Sequence, residues 1–256
     1  MKPGFKTAIV RKPCPEMTAG LSSASLGLPD YSLAMDQHAA YVEALQNCGL
    51  DVKVLEADPG FPDSCFVEDV ALCTPHGAIL CNPGAPSRNG EKLAMEAVLL
   101  SFHDQIDHIE FPGTLDAGDV MMVGKHFYIG ISERTNTEGA DQLIAILKKL
   151  GKTGSQVLLS DMLHLKSGVS YLEDNRMLVT GEFVDHPAFS VFDTLVVEPE
   201  EAYAANSLWI NDSVLVPAGF PSTLDRIQEA GYKTLVLDVS EFQKLDGGLS
   251  CLSLRF

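Results

Sequence analysis

Three eight-residue stretches, beginning at Cys65, Leu115 and Leu165, lie 50 residues apart and align without a gap. They read Cys65-Phe66-Val67-Glu68-Asp69-Val70-Ala71-Leu72, Leu115-Asp116-Ala117-Gly118-Asp119-Val120-Met121-Met122 and Leu165-Lys166-Ser167-Gly168-Val169-Ser170-Tyr171-Leu172. A further copy, Leu245-Asp246-Gly247-Gly248-Leu249-Ser250-Cys251-Leu252, ends near the C-terminus, and a looser one lies at Ala205-Asn206-Ser207-Leu208-Trp209-Ile210. A period of roughly 40 to 50 residues signals an array or a closed propeller-like ring, because each unit buries its apolar face only against its neighbours.

Each octad reads as a strand. Four of the five copies lead through a polar turn into an apolar partner strand, at Ala78–Cys81, Phe127–Ile131, Met177–Thr180 and Ser213–Val216. The turns, such as Thr74-Pro75-His76-Gly77 and Glu173-Asp174-Asn175-Arg176, are hairpin-like. Strand-like runs at Val52–Leu55, His108–Phe111, Val157–Leu159, Leu195–Val197 and Thr234–Leu237 complete the units. Apolar spacing predicts helices over Asp30–Asn47, Glu91–His103, Asp141–Leu150 and Ser222–Ala230, the third with Thr135-x-x-Glu138 as its capping box. Around His186-Pro187 the connection is proline-broken, so no comparable helix is expected there. The last octad has no partner strand after it, and Lys6–Arg11 is expected to supply one. The ends then close a five-unit α/β ring of pseudo-fivefold symmetry, a single domain over residues 1–256. An open doubly wound sheet ranks below this, since neither Gly118 nor Gly247-Gly248 forms a G-x-G-x-x-G loop opening a helix.

Charge and composition narrow the partners. With 18 basic against 35 acidic residues, a net charge of −17, the chain lacks the clustered cations that bind a phosphate backbone, so no nucleic-acid partner is expected. No apolar run approaches the roughly 18 residues of a membrane span. Residues Met1 to Arg11 carry no apolar signal core, and a cytoplasmic location is expected. The six cysteines show no C-x-x-C spacing. Cys65, Cys73 and Cys81 sit in apolar surroundings and read as buried small hydrophobes. Cys251 stands apart, on a strand that two glycines precede. The long loop from Pro13 to Pro29 is either a cover, through Gly20-Leu21-Ser22-Ser23, or mobile padding.

The octad ends should converge on the ring axis, bringing Asp63, Glu68, Asp69, Asp116, Asp119, His164 and Cys251 together. Buried polar groups are costly unless paired, so such a cluster is a candidate site. Cys251 is a nucleophile only as a thiolate, and His164 is a fitting acid/base partner. Carboxylates beside a thiol oppose its ionisation, which points to a substrate that brings positive charge. A guanidinium fits, because Asp69 and Asp116 could accept its planar N–H donors. Asp119 reads rather as a partner for backbone donors. Arg88 and Arg134 occupy corresponding loops of units one and two. They are ordinary solvated arginines, or a clamp for an amino-acid carboxylate.

With these blocks in place, the chain closely resembles the dimethylarginine dimethylaminohydrolases of the guanidine-modifying, arginine deiminase-like superfamily. The resemblance rests on Phe61-Pro62-Asp63-Ser64-Cys65-Phe66-Val67-Glu68-Asp69, Gly113-Thr114-Leu115-Asp116-Ala117-Gly118-Asp119-Val120, His164-Leu165-Lys166-Ser167-Gly168 and Gly247-Gly248-Leu249-Ser250-Cys251. It implies a five-unit α/β propeller of the pentein type. By carry-over, Cys251 is the nucleophile, His164 the general acid/base and Asp116 the carboxylate that holds the guanidinium. Leu21, Asp63, Phe66, Glu68, Asp69, Arg88 and Arg134 are implied substrate-binding residues. Aspartate at 116 follows animal relatives, where bacterial ones often carry glutamate. The implied reaction converts methylated arginines to citrulline and a methylamine through an S-alkylthiouronium on Cys251, with no metal or organic cofactor. Its partner is the small-molecule substrate; monomer and homodimer both stay open. Rival readings are arginine deimination or amidinotransfer on the same fold, or non-catalytic binding of an arginine derivative.

Overall fold

The computed structural model describes residues 4–74 and 77–256. Met1 to Pro3 and the expected turn residues Pro75 and His76 lie outside the described residues. In chain order the elements are β1 (Thr7–Arg11), α1 (Tyr31–Asn47), β2 (Asp51–Leu55), β3 (Ala71–Thr74), β4 (Gly77–Leu80), α2 (Glu91–Leu99) and β5 (Ile106–His108). Next come β6 (Val120–Val123), β7 (His126–Ile131), α3 (Thr137–Lys149), β8 (Thr153–Leu158), the single turn α4 (Leu165–Gly168), β9 (Val169–Tyr171), β10 (Arg176–Val179) and β11 (Asp193–Val196). The chain ends with β12 (Leu208–Ile210), β13 (Ser213–Pro217), α5 (Pro221–Glu229), β14 (Lys233–Leu237), the single turn α6 (Ser240–Gln243) and β15 (Leu254–Arg255).

These strands form five three-stranded sheets: β3-β4-β5, β6-β7-β8, β9-β10-β11, β12-β13-β14 and β15-β1-β2. In each, the first strand pairs antiparallel with the second and the second parallel with the third. A parallel pair needs a crossover, and helices α1, α2, α3 and α5 supply it in four sheets. In the third, 3-10 turns at Gly181–Phe183 and Pro187–Phe189 replace the helix, and no comparable helix forms there, as expected. Closure of the ring by the two ends is as expected, with Ala8 opposite Arg255 and Ile9 opposite Leu254.

The octads are not strands throughout. Val67–Val70, Ala117–Asp119, Leu165–Gly168 and Ser250–Leu252 are single helical turns, and the inner strands begin after them. Near the axis the chains converge without a neighbouring strand to pair with, so the backbone turns on itself to satisfy its own donors. Asp119 N–H to Asp116 O (3.0 Å), Ser167 N–H to His164 O (3.0 Å) and Cys251 N–H to Gly248 O (3.1 Å) are such bonds. The gap-free alignment also slips. Counted from the first strand residue, Asp69, Gly118, Ser167, Asn206 and Leu252 are equivalent, each two residues before its strand.

Three local expectations are corrected. Asn136, not Thr135, caps α3, accepting the Gly139 N–H at 2.8 Å. Thr135 is instead buried, and its hydroxyl accepts the Asp116 N–H at 3.2 Å. Helix α2 stops at Leu99, the chain continuing in tighter turns through Phe102, and β5 lies earlier than the expected run. As expected, the Asp30 side chain caps α1, accepting the Leu33 N–H at 3.0 Å.

The apolar core is divided among the blades. Leu115, Phe127, Ile129, Leu143 and Leu147 fill the space under α3, while Tyr41 and Leu45 of α1 meet Phe242, Leu249 and Leu252. Deleting Leu249 to Phe256 removes Leu249, Leu252 and Leu254 from the interior together with the ring-closing pairs of β1. At about 2–5 kcal/mol per buried leucine, this should exceed most of the roughly 5–15 kcal/mol that keeps a domain folded. A thermal melt tests it, and an unchanged midpoint in the truncated chain would refute the closing role. Among the described residues no helix is long and apolar enough to cross a membrane.

Candidate active site

The helical turns meet around the axis: Val67–Val70 lies against both Ser250–Leu252 and Ala117–Asp119, and α4 lies against Ala117–Asp119. Above them opens a cavity of about 260 Å³. Nine of the ten expected residues line it: Leu21, Asp63, Phe66, Asp69, Arg88, Asp116, Arg134, His164 and Cys251. Four separate chain segments thus deliver a thiol, an imidazole and two carboxylates to one space.

Cys251 sits in the last helical turn with the Gly248 N–H at 3.4 Å from its Sγ. Burial first, then the charges of Asp69 and Glu68, push its thiol up to about 12, so without substrate it rests protonated. His164 stands just before α4, and its Nε2 lies 3.2 Å from Asp116 Oδ2. Burial alone would disfavour the imidazolium, but Asp69, the bond to Asp116, and Asp119 outweigh it and hold the pKa at about 9. The imidazole is therefore an acid at neutral pH.

The folded pKa of His164 is raised above its ordinary 6.5, so its stabilisation is complete below pH 6.5 and disappears as pH rises through about 9. At 1.36 kcal/mol per unit this amounts to about 3 kcal/mol. Denaturant titrations of the wild type between pH 6.5 and 9.5 should show that fall, and His164→Gln should flatten it. A wild-type curve no steeper than the variant's would contradict the assignment.

Asp116 is fixed by the Gly84 N–H on Oδ1 at 2.9 Å, leaving Oδ2 to His164. Asp69 accepts the Gly118 N–H at 3.2 Å and pairs with Arg88. Burial works against its charge, yet His164 and Arg88 hold its carboxyl below the usual range. Gly118 is required by crowding, since a Cβ there would stand 2.7 Å from both Asp69 Oδ1 and His164 Nδ1. Asp63 receives the Leu21 N–H at 3.0 Å, and burial pushes its carboxyl up. That bond, with Ser22 Oγ on the Lys244 carbonyl and Ser23 N–H on Asp246, both 2.5 Å, draws the Gly20–Ser23 loop over the cavity. The loop's reading as a cover holds for these residues.

The arginines differ. Arg88 is buried rather than solvated: Nε and Nη2 grip Glu91 at 2.9 and 2.8 Å, Nη1 grips Asp69, and Nη2 reaches the Phe66 carbonyl at 3.0 Å. It braces the floor and turns only an edge to the cavity. Arg134 is half-buried at the mouth beside Glu133. Glu68 is the exception among the expected residues. It does not line this cavity; its Oε1 takes both Lys166 Nζ and Arg255 Nη2 at 2.6 Å, tying three units together. Adjacent residues on a helical turn point apart, so Asp69 faces the cavity and Glu68 the opposite side. Asp119 partners structure, as read: its oxygens accept the Leu165 N–H at 2.9 Å and Ser132 Oγ at 2.7 Å. Cys65, Cys73 and Cys81 are buried.

Sequence reasoning missed Glu91, Lys166 and Arg255 as partners of the site carboxylates, and Leu163, Leu245, Asp246 and Gly247 as lining. The adjacent pair Gly247-Gly248 was the one signal in the sequence, and the structure gives its reason at Gly247, where a Cβ would run into the Phe66 ring. Ligand atoms of Asp69, Asp116 and His164 lie within 4.8 Å of one another, a set that could hold a divalent cation. With His164 as imidazolium, its nitrogens have no lone pair to offer. The donor set fits proton transfer and a planar organic cation better.

The model for N,N dimethylarginine dimethylhydrolase, eukaryotic, matches residues 30–184. A dimethylarginine dimethylaminohydrolase of Pseudomonas aeruginosa is 51% identical over 253 residues, covering 98% of this chain and 100% of that one. The chain belongs to the dimethylarginine dimethylaminohydrolase family. A solved structure of the P. aeruginosa dimethylarginine dimethylaminohydrolase, a cysteine-to-serine mutant complexed with citrulline, superposes with a TM-score of 0.98 at 50% identity, covering 99% and 100% of the two chains. A second family structure, an adduct of a histidine-to-glycine variant with S-methyl-L-thiocitrulline, gives 0.97 at 50% identity, covering 98% and 100%. The five-blade ring is thus the pentein propeller that the resemblance implied.

Proposed function

We propose that the chain hydrolyses N-omega-methylated arginines, asymmetric dimethyl- and monomethylarginine, to citrulline and a methylamine. The observation that carries this reading is a neutral buried thiol facing carboxylates and an imidazolium in one cavity. Such a thiol ionises when a cation arrives to offset the charge of Asp69, and a guanidinium is that cation. Its N–H donors suit Asp116 and Asp69, and the amino-acid carboxylate suits Arg134 at the mouth.

Binding of the guanidinium releases the thiol proton to solvent. The Cys251 thiolate then attacks the guanidinium carbon. As the carbon–nitrogen bond breaks, the imidazolium of His164 gives its proton to the departing amine. What stays is an S-alkylthiouronium on Cys251. Neutral His164 takes a proton from water, whose oxygen attacks the same carbon; the thiolate is then expelled and the remaining hydroxyl proton returns to it, leaving the ureido group of citrulline and the neutral thiol. His164 must be protonated first, and its pKa of about 9 provides that state at neutral pH. Phe66, Asp63 and Leu21 enclose the reacting group, excluding bulk water. The free thiols suit the reducing cytoplasm.

Quantifying dimethylamine and ammonia from arginine, monomethylarginine and dimethylarginines tests the reading. Dimethylamine or monomethylamine should dominate. Ammonia from arginine as the main product would overturn it in favour of a deiminase.

A further inference from the structure

Four of the five units account for the chemistry: the first brings Asp69, the second Asp116, the third His164 and the fifth Cys251. The fourth, whose octad copy is looser, brings no titratable side chain to the cavity. Two residues before its strand, where the first unit has Asp69, stands Asn206. It is 8% exposed and bonded through both amide atoms. Its Oδ1 accepts the Ser250 N–H at 3.0 Å; its Nδ2 donates to Ser250 Oγ at 3.1 Å and to the Lys166 carbonyl at 3.0 Å. Ser250 precedes Cys251, and Lys166 follows His164 by two residues. Gly248 lies so close that a Cβ there would stand 2.6 Å from Asn206 Cγ, and the Gly248 N–H is the donor that faces Cys251 Sγ.

We infer that Asn206 is a positioning residue for the reaction, clamping the turn that carries Cys251 to the turn that follows His164. The inference rests on Cys251 being the nucleophile. The nucleophile turn is three residues of 3-10 helix, and so short a turn does not hold its own geometry. The Ser250 N–H finds its acceptor in Asn206, outside that turn. The amide is needed as such, because the site asks one atom to accept and its neighbour to donate twice. A carboxylate at 206 would keep the acceptor, lose both donors and add a negative charge near a sulfur that the charges of Asp69 and Glu68 already keep protonated. Contact with Gly248 also fixes the backbone N–H that faces Cys251 Sγ.

The test compares Asn206→Ala and Asn206→Asp with the wild type, and includes Cys251→Ser. The readouts are kcat and KM for dimethylarginine, the melting temperature, and the pH dependence of iodoacetamide alkylation at Cys251 followed by peptide mass spectrometry. Asn206→Ala should lower kcat by roughly 100-fold, as a nucleophile displaced by about 1 Å does, with KM changed less than about threefold. Asn206→Asp should not restore kcat, and should move the Cys251 alkylation profile to higher pH. A kcat within about threefold of wild type in either folded variant, or an unmoved alkylation profile in Asn206→Asp, would overturn the positioning role. If Asn206→Ala does not fold, the isosteric Asn206→Asp decides by the same criteria. Turnover persisting in Cys251→Ser would overturn the nucleophile reading itself, whatever the Asn206 variants do.

Discussion

Cys251→Ser is expected to lose turnover by roughly 1,000-fold or more while keeping its fold. A hydroxyl fills nearly the same volume as the thiol, so the turn at Ser250–Leu252 and the Gly248 N–H contact remain. What changes is acidity. Burial and the charges of Asp69 and Glu68 already push the thiol to about 12, and a bound guanidinium can offset those charges. A serine hydroxyl starts several units higher, beyond what one cation offsets, and His164, already protonated at neutral pH, is no base for it. Steady-state kinetics on dimethylarginine, paired with a melt, check this. Substrate affinity measured by calorimetry should survive within about threefold, because the groups that hold the guanidinium and carboxylate are untouched. Turnover within tenfold of wild type would remove Cys251 from the mechanism.

Arg88→Ala carries the largest expected effect on stability for a single residue. The guanidinium is the counter-charge of two buried carboxylates, Asp69 and Glu91, with side chains only 5% and 4% exposed. Removing it leaves Glu91 without its counter-charge and Asp69 with His164 as its main remaining cation, a loss of about 3–5 kcal/mol. Burial already raises the Glu91 carboxyl against the pull of Arg88, and without that pull it should protonate at higher pH. The deficit measured by urea unfolding should therefore be largest near pH 7 and shrink towards pH 5, as the Glu91 carboxyl becomes neutral at little cost. A deficit below about 1 kcal/mol at pH 7 would mean that Arg88 serves the substrate alone. Activity should fall as well, since Arg88 braces the Asp69 carboxylate in its place on the cavity lining.

Much of the fold was legible because the repeat encodes it locally. Apolar spacing marks α1, α3 and α5, the hairpin strands are short apolar runs between turn residues, and a strand without a partner at one terminus called for one from the other. Boundaries were less legible where local and tertiary demands compete. Thr135 and Glu138 look like a capping box, but Thr135 is consumed by the Asp116 backbone and Asn136 caps in its place. The octads look like strands because Val and Ala alternate with polar residues, yet the axis offers them no pairing edge and they turn.

By itself the sequence determined the five units, the closure of the ring, and which residues were chemically capable of forming a site. These follow from periodic burial and residue type, both carried along the chain. The tertiary structure alone decided which of those residues face the cavity and in what state. Glu68 and Asp69 are neighbours with equal charge, but one helical turn sends Asp69 to His164 and Glu68 to Lys166 and Arg255. Burial and through-space charge, which depend on distances between units and not on order along the chain, make Cys251 a neutral thiol and His164 a cation. The same through-space geometry gives Asn206 its place behind the nucleophile, in the one unit whose sequence showed the repeat least.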